Sequence, residues 1–227
     1  MDGMGGKENS MAYEFVYASE YAAYRSNCSE VLRETCKRLK RKDIIAQFIL
    51  IGSGGRNLVT RNGNGPFDLD YNLNIIKAPG AYSNDLRKLK DTVRVALNES
   101  EGFECFSPAH DSTSCLTAIL HFKNTPAVEF SFDVAIVTQN KNGNYLRLVH
   151  NKNAWGLSFD QYTWNEIPFS YDVKEKAEAL KDAGLWEKVR SRYLELKNRY
   201  LIFRDKNHPS FVVYVEAVNQ VYHQYLS

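Results

Sequence analysis

The 227-residue sequence predicts an α+β fold, in which β-strands covered by helices are followed by a mainly helical C-terminal region. Three observations predict it. First, apolar, β-prone runs at Ile44–Ile51, Asp68–Ile76, Cys115–Lys123 and Val128–Val137 alternate with segments of helical periodicity. Second, in the last run Val128, Phe130, Phe132 and Val134 alternate with Glu129, Ser131 and Asp133, so one strand face is apolar and the other carries acids. Third, the character changes after Asn140-Lys141-Asn142-Gly143-Asn144. From there Val173–Leu201 is charged and helical, and Phe211–Leu226 is an apolar, aromatic helix behind an Asn-His-Pro-Ser turn.

Taken in order, residues 1–10 are polar and Gly-rich and read as a flexible leader. From Tyr13 to about Lys42, Val16, Tyr21, Tyr24, Val31, Leu32, Cys36 and Leu39 recur at helical spacing, which predicts one long helix or two with an apolar stripe for a sheet. Ile44–Ile51 is the first strand, and Asp68–Ile76 the next, after a loop rich in Gly and Asn. Leu86, Leu89, Val93 and Leu97 place a helix over Asn84–Glu99, with Ser83 or Asn84 as its N-cap. Asn124-Thr125-Pro126 makes a tight connection between the third and fourth strands. The resulting division is a leader at 1–10, a domain of strands and helices at 11–145 and a mainly helical domain at 146–227. No repeat or low-complexity tract interrupts it.

Composition narrows the functional classes. At 44% hydrophobic residues the chain can fill a core, and its formal charge of +2 makes no global demand for nucleic acid, although Arg33–Lys42 is a local basic patch. Cys28, Cys36, Cys105 and Cys115 show no Cys-x-x-Cys pair and follow no secretory signal. They read as reduced thiols of a cytoplasmic protein. No apolar run approaches the roughly 20 residues that span a bilayer, so no membrane partner is expected.

The chemistry concentrates between Ile51 and Leu73. A Gly52-Ser53-Gly54-Gly55 turn follows the first strand, and Asp68-Leu69-Asp70 opens the second. Taken singly, the turn is an ordinary strand-to-helix loop and the acids a solvated strand edge. Together they are a phosphate cradle upstream of a cation site: glycines let backbone N–H groups converge, Ser53 adds a hydroxyl, and a helix beginning near Arg56 would add its positive end. The turn lacks the lysine of a Walker loop and the Gly-x-Gly-x-x-Gly spacing of a dinucleotide fold. Residues i and i+2 of a strand share a face, and two carboxylates about 4 Å apart repel by roughly 4 kcal/mol at an effective dielectric of 20. Such a pair needs a proton or a hard divalent cation. Asp133, inside an apolar strand, is the third carboxylate. Glu129 is its competitor, about 13 Å earlier along the strand.

With Ile51-Gly52-Ser53, Asp68-Leu69-Asp70 and Asp133 in this order, the sequence resembles the DNA polymerase β-like nucleotidyltransferase superfamily over roughly residues 40–140. Arg56 and Thr60 also look like residues that follow the Gly-Ser turn there, whereas the Asn-Gly-Asn-Gly insertion before Asp68 departs from compact members. The resemblance implies a mixed sheet flanked by helices and two Mg²⁺ ions, with Mn²⁺ as the alternative. They would be held by Asp68, Asp70 and Asp133, with Asp133 also the general base. It implies that Gly52 and Ser53 hold nucleotide phosphates, with Arg56 a further phosphate contact, and that an NTP gives its NMP to a hydroxyl with release of pyrophosphate. The acceptor stays open. Near-neutral charge favours a small molecule, nucleotide or protein over a long nucleic acid. The alternatives are a catalytically inactive nucleotide-binding or interaction protein of the same fold, and a metal-dependent phosphohydrolase.

Other residues carry less. His110, His121, His150, His208 and His223 have no metal-ligand spacing and read as structural or surface groups. Trp155, Trp164, Trp186, Tyr214, Tyr222 and Tyr225 read as core or interface, with base stacking the rarer use. Lys152, Lys174 and Arg204 are candidate phosphate contacts that the sequence does not rank.

Overall fold

The computed structural model describes residues 12–152, 160–168, 171–203 and 208–227. The expected leader, Trp155 and Arg204 lie outside these residues. In chain order the elements are β1 (Tyr13–Phe15), α1 (Ala18–Lys40), β2 (Ile45–Ile51), α2 (Gly52–Arg56), β3 (Thr60–Asn62) and β4 (Phe67–Lys77). They continue with α3 (Gly80–Ser83), α4 (Leu86–Asn98), β5 (His110–Asp111), β6 (Leu116–His121) and β7 (Val128–Gln139). The last are β8 (Tyr145–Asn151), β9 (Gln161–Glu166), α5 (Tyr171–Asp182), α6 (Trp186–Ile202) and α7 (Ser210–Tyr225).

The chain forms two compact units. One spans Tyr17–Val59 and Phe67–Phe169; the other takes the residues up to Val16, Thr60–Pro66 and the chain from residue 170 on. A cut at residue 145 falls on the first residue of β8, within the first unit. The change of composition near residue 140 marks not the end of that unit but a turn, after which two strands, β8 and β9, extend its sheet.

In the first unit the strands run in the order β2-β4-β7-β6-β5, and β8 pairs with the far end of β7 and then with β9. β4 and β7 are parallel, and the other pairs are antiparallel, which makes the sheet mixed. Alternation decides its faces. Leu69, Tyr71, Leu73 and Ile75 of β4 and Phe130, Phe132, Val134 and Ile136 of β7 are buried, together with α1 residues Cys28, Val31, Leu32 and Leu39 and α4 residues Leu89, Val93, Ala96 and Leu97. Fully burying one such side chain contributes about 1.5–3 kcal/mol, so this helix-covered face holds the fold together. Tyr24, Phe67, Phe106, Phe130 and Phe132 add edge and tilted ring contacts with centroids 4.9–6.4 Å apart.

Several local expectations change in detail. α1 is a single helix because Ala18–Lys40 contains no Gly or Pro, and Lys37, Arg38 and Lys40 complement the negative end of its dipole. Tyr13–Phe15, read as the start of that helix, is a strand paired with β3, so the Gly- and Asn-rich loop also contains a strand. The N-cap of α4 is Asp85, not Ser83 or Asn84: its carboxylate accepts from Lys88 N–H at 2.9 Å, a bond available only one residue further on.

The second unit holds the β1–β3 pair and α5–α7. Val189, Tyr193 and Leu196 of α6 and Val213, Ala217, Val218 and Val221 of α7 form its core. Asn198 ties β1 to α6 by accepting from Tyr13 N–H at 2.6 Å and donating to Tyr13 O at 3.0 Å.

Candidate active site

β4 has two characters because its side chains alternate. Its odd residues enter the core, while Asp68, Asp70, Asn72 and Asn74 line the opposite face. Asp70 is the register partner of Ile51 on β2 and of Asp133 on β7, and Asp133 is in turn the partner of Thr117 on β6. Two of the predicted acids therefore stand side by side across a parallel strand pair, in a row that continues through Thr117 to exposed His110 on β5. Asp68 lies one pleat earlier on the same face, opposite Ser131. Glu129 is engaged elsewhere, accepting a hydrogen bond from Tyr24 Oη.

The turn that leads out of β2 is folded against Asp70. Gly52 has φ of +61°, a left-handed value costly for residues with a side chain, and a Cβ there would collide with Asp70 Oδ2. A glycine is required at this position on both counts. The five-residue α2 begins at Gly52 and ends at Arg56, so Arg56 closes the helix instead of opening one. Its Nη1 donates to Gly52 O at 2.8 Å, and Asn57 then reverses the chain in a left-handed conformation. Gly52, Ser53 and Arg56 thus share one turn beside Asp70. Thr60 belongs to the other unit, where Lys197 donates to its hydroxyl at 3.0 Å.

Electrostatics mark the same spot. Burial, then Asp68, then Asp133 push the Asp70 carboxyl up to about 6, against the opposing pull of Arg147 and Arg56. Among the described residues no three His, Cys, Asp or Glu side chains are already drawn together as a metal cage. Asp133 Oδ1 instead accepts from Thr117 Oγ1 at 2.5 Å. The donor set is all oxygen and mutually repelling. That fits a hard divalent cation such as Mg²⁺, which would replace repulsion by coordination.

Thr117 and Arg147 escaped the sequence reading. Thr117 could have been found only through the β6–β7 register. Arg147 is a partner of Val137, on the same face as the acids, and no local pattern announces it. Asn72 and Asn74 did leave a signal: the polar-apolar alternation that begins at Asp68 runs on through them, and Asn is disfavoured inside strands.

The remaining candidates lie elsewhere. His150 is buried, with Nδ1 2.8 Å from Asp111 Oδ2, Nε2 2.8 Å from Asp160 Oδ2, and its ring stacked on Tyr162. His208 stacks on Tyr200, and His121 lies 3.0 Å from Pro126 O. Lys152 donates to Asp111 O at 3.1 Å, and Lys174 is an exposed α5 residue paired with Glu178. A cavity of about 340 Å³ lined by Lys42, Asp85, Arg87, Lys88 and Asp91 contains none of the predicted site residues.

No family profile and no curated protein matches the sequence. Solved structures do. The Vibrio cholerae cyclic AMP-GMP synthase DncV, in complex with the linear intermediate pppA(3′,5′)pG, superposes with a TM-score of 0.59 at 11% identity over 94% of this chain and 69% of its own. The chain shares the fold of that synthase. The nucleotidyltransferase fold is shared with the Bradyrhizobium diazoefficiens CD-NTase CdnG in complex with GTP, at a TM-score of 0.57 and 16% identity over 90% of this chain and 67% of that one. The chain spans 61% of CdnC in the Escherichia coli MS115-1 CdnC:HORMA complex and 52% of GTP-bound Vibrio cholerae DncV. No helix among the described residues is long and apolar enough to cross a membrane.

Proposed function

We propose that the protein is a metal-dependent nucleotidyltransferase that moves an NMP from an NTP onto a hydroxyl of a second nucleotide, releasing pyrophosphate. The observation that carries this reading is the row Ile51–Asp70–Asp133–Thr117, with Gly52 folded under the Asp70 carboxylate. Repelling carboxylates beside a glycine turn give an oxygen-donor site next to a place where a phosphate chain can approach the backbone. Of the acceptors that the sequence leaves open, a nucleotide is favoured by the likeness to a cyclic dinucleotide synthase solved with its linear intermediate.

Asp68, Asp70 and Asp133 would hold Mg²⁺ or Mn²⁺. Such ions neutralise the triphosphate and lower the pKa of an attacking hydroxyl. The side chains do the rest. Gly52, lacking a Cβ, lets the backbone approach the β and γ phosphates, Ser53 offers a hydroxyl to them, and Arg56 brings a cation to the same turn. Asp133 lies on the side away from that turn, where it would receive the proton of the acceptor hydroxyl. Thr117, by donating to Oδ1, fixes which Asp133 oxygen remains available. The four cysteines are free thiols, as a reducing cytoplasm would keep them.

The test is incubation with each α-labelled NTP, singly and in pairs, with Mg²⁺ or Mn²⁺, followed by phosphatase treatment and chromatography. A phosphatase-resistant labelled product with stoichiometric pyrophosphate, lost in EDTA and in Asp133→Asn, is expected. Release of phosphate with water alone, or no product from any pair, would overturn the reading.

A further inference from the structure

The acid face carries a second polar row. Asn74 is the register partner of Gln47 on β2 and of Val137 on β7; Val137 pairs with Arg147 on β8, and Arg147 with Asn165 on β9. Register partners share a sheet face, so Gln47, Asn74, Arg147 and Asn165 lie in one line across five strands, with Asn72 between this line and the acids. The hydrogen bond from Asn151 Nδ2 to Thr163 Oγ1 confirms that alternate residues of β8 and β9 face the same way. Four residues along β4 and β7 separate this line from the Asp70–Asp133 row, about 13 Å on an extended strand.

Three polar atoms on this face are unspent. Asn72 Oδ1, Asn74 Oδ1 and Arg147 Nε are buried and have no hydrogen-bond partner among the described residues. Buried polar atoms are normally paired, and each one left unpaired costs about 1–3 kcal/mol, so three on one face imply a partner that supplies both donors and acceptors. A hydrocarbon ligand would not satisfy them, and a simple anion would leave the amide oxygens without donors. A nucleobase edge offers both. We infer that Arg147, with Asn72 and Asn74, forms a base-recognition subsite, and that Arg147 makes it prefer guanine. A guanidinium fork matches the adjacent O6 and N7 acceptors of guanine, whereas adenine offers a donor in place of O6.

This rests on the nucleotidyl-transfer reading but is separable from it, because binding can be measured without turnover. GTP and ATP affinities are determined calorimetrically in Ca²⁺ for the wild type, Arg147→Lys and Arg147→Gln; Arg147→Lys keeps the charge and loses the fork. The expected result is a wild-type preference for GTP of tenfold or more, reduced to less than threefold in both variants, with ATP affinity nearly unchanged. A purely structural role of Arg147 would weaken both nucleotides together. Equal affinities in the wild type, or a preference that survives both variants, overturns the inference. Guanine preference without any transfer product would count against the proposed reaction alone, and transfer with a preference indifferent to Arg147 against the subsite alone.

Discussion

In the absence of a cation the acid row should act against the fold, and Asp70→Asn tests this directly. Asp70 has a carboxyl raised from 3.8 to about 6 by burial, Asp68 and Asp133. A raised carboxyl pKa means that the folded chain binds the proton more tightly than the unfolded chain does. Below about pH 4 both states are protonated and the residue is neutral to stability. Between about pH 4 and pH 6 stability falls, and above pH 6 the full penalty is present. About two pKa units correspond to about 3 kcal/mol, and partial solvent exposure lowers this to on the order of 2 kcal/mol. Asp70→Asn keeps the volume and removes the charge. Urea titration in EDTA at pH 7.5 should therefore show the variant more stable by about 1–3 kcal/mol, with a gap that closes near pH 4. Added Mg²⁺ should stabilise the wild type and leave the variant nearly unchanged, while nucleotidyl transfer is lost. A variant equally stable or less stable than the wild type in EDTA at pH 7.5 would refute the account of the acid row.

Three further outcomes follow from neighbouring geometry. Gly52→Ala combines a left-handed φ, costing about 1–2 kcal/mol, with a collision against Asp70 Oδ2, and should reduce kcat by at least tenfold while circular dichroism is retained; normal turnover would show that the turn does not constrain the acid. Thr117→Val removes the 2.5 Å bond to Asp133, and on the order of tenfold loss of kcat with restoration by Thr117→Ser is expected; a change confined to KM would count against an orienting role. Lys90→Met leaves Asp111 without the buried ammonium 2.5 Å from its Oδ1, and urea melts should show a loss of about 3–5 kcal/mol; a loss below about 1 kcal/mol would mean that His150 alone satisfies Asp111.

Much of the candidate site was legible because strand chemistry is local. The alternation around Asp68 and Asp70 and the apolar setting of Asp133 are visible in a few consecutive residues, and the structure places them on one face. Pairing is not local. Nothing near Arg147 says that β8 will pair with the last residues of β7, so no local pattern places this cation on the acid face. The same limit misassigned Tyr13–Phe15, whose three residues fit either period and become a strand because β3 is there to pair with them. Asp85 won the α4 cap over Ser83 and Asn84 by a shift of one or two residues, which decides whether a side chain reaches the Lys88 N–H. The change of composition near residue 140 fell on the turn between β7 and β8, inside the first unit, because β8 and β9 continue the sheet beyond it.

The parallel pairing of β4 with β7 makes the site a proofreader of its own folding. A slip of one residue in β4 would turn Leu69, Tyr71 and Leu73 out to water and drive Asp68 and Asp70 against Phe130 and Phe132. The native alignment keeps Leu69, Tyr71, Leu73 and Ile75 inside and holds Asp68 and Asp70 on the opposite face. The neighbouring strand that supplies Asp133 comes from a distant part of the chain, so the acid row cannot assemble before this long-range contact closes. The acid row is therefore complete only once β7 has joined the β2–β4 pair.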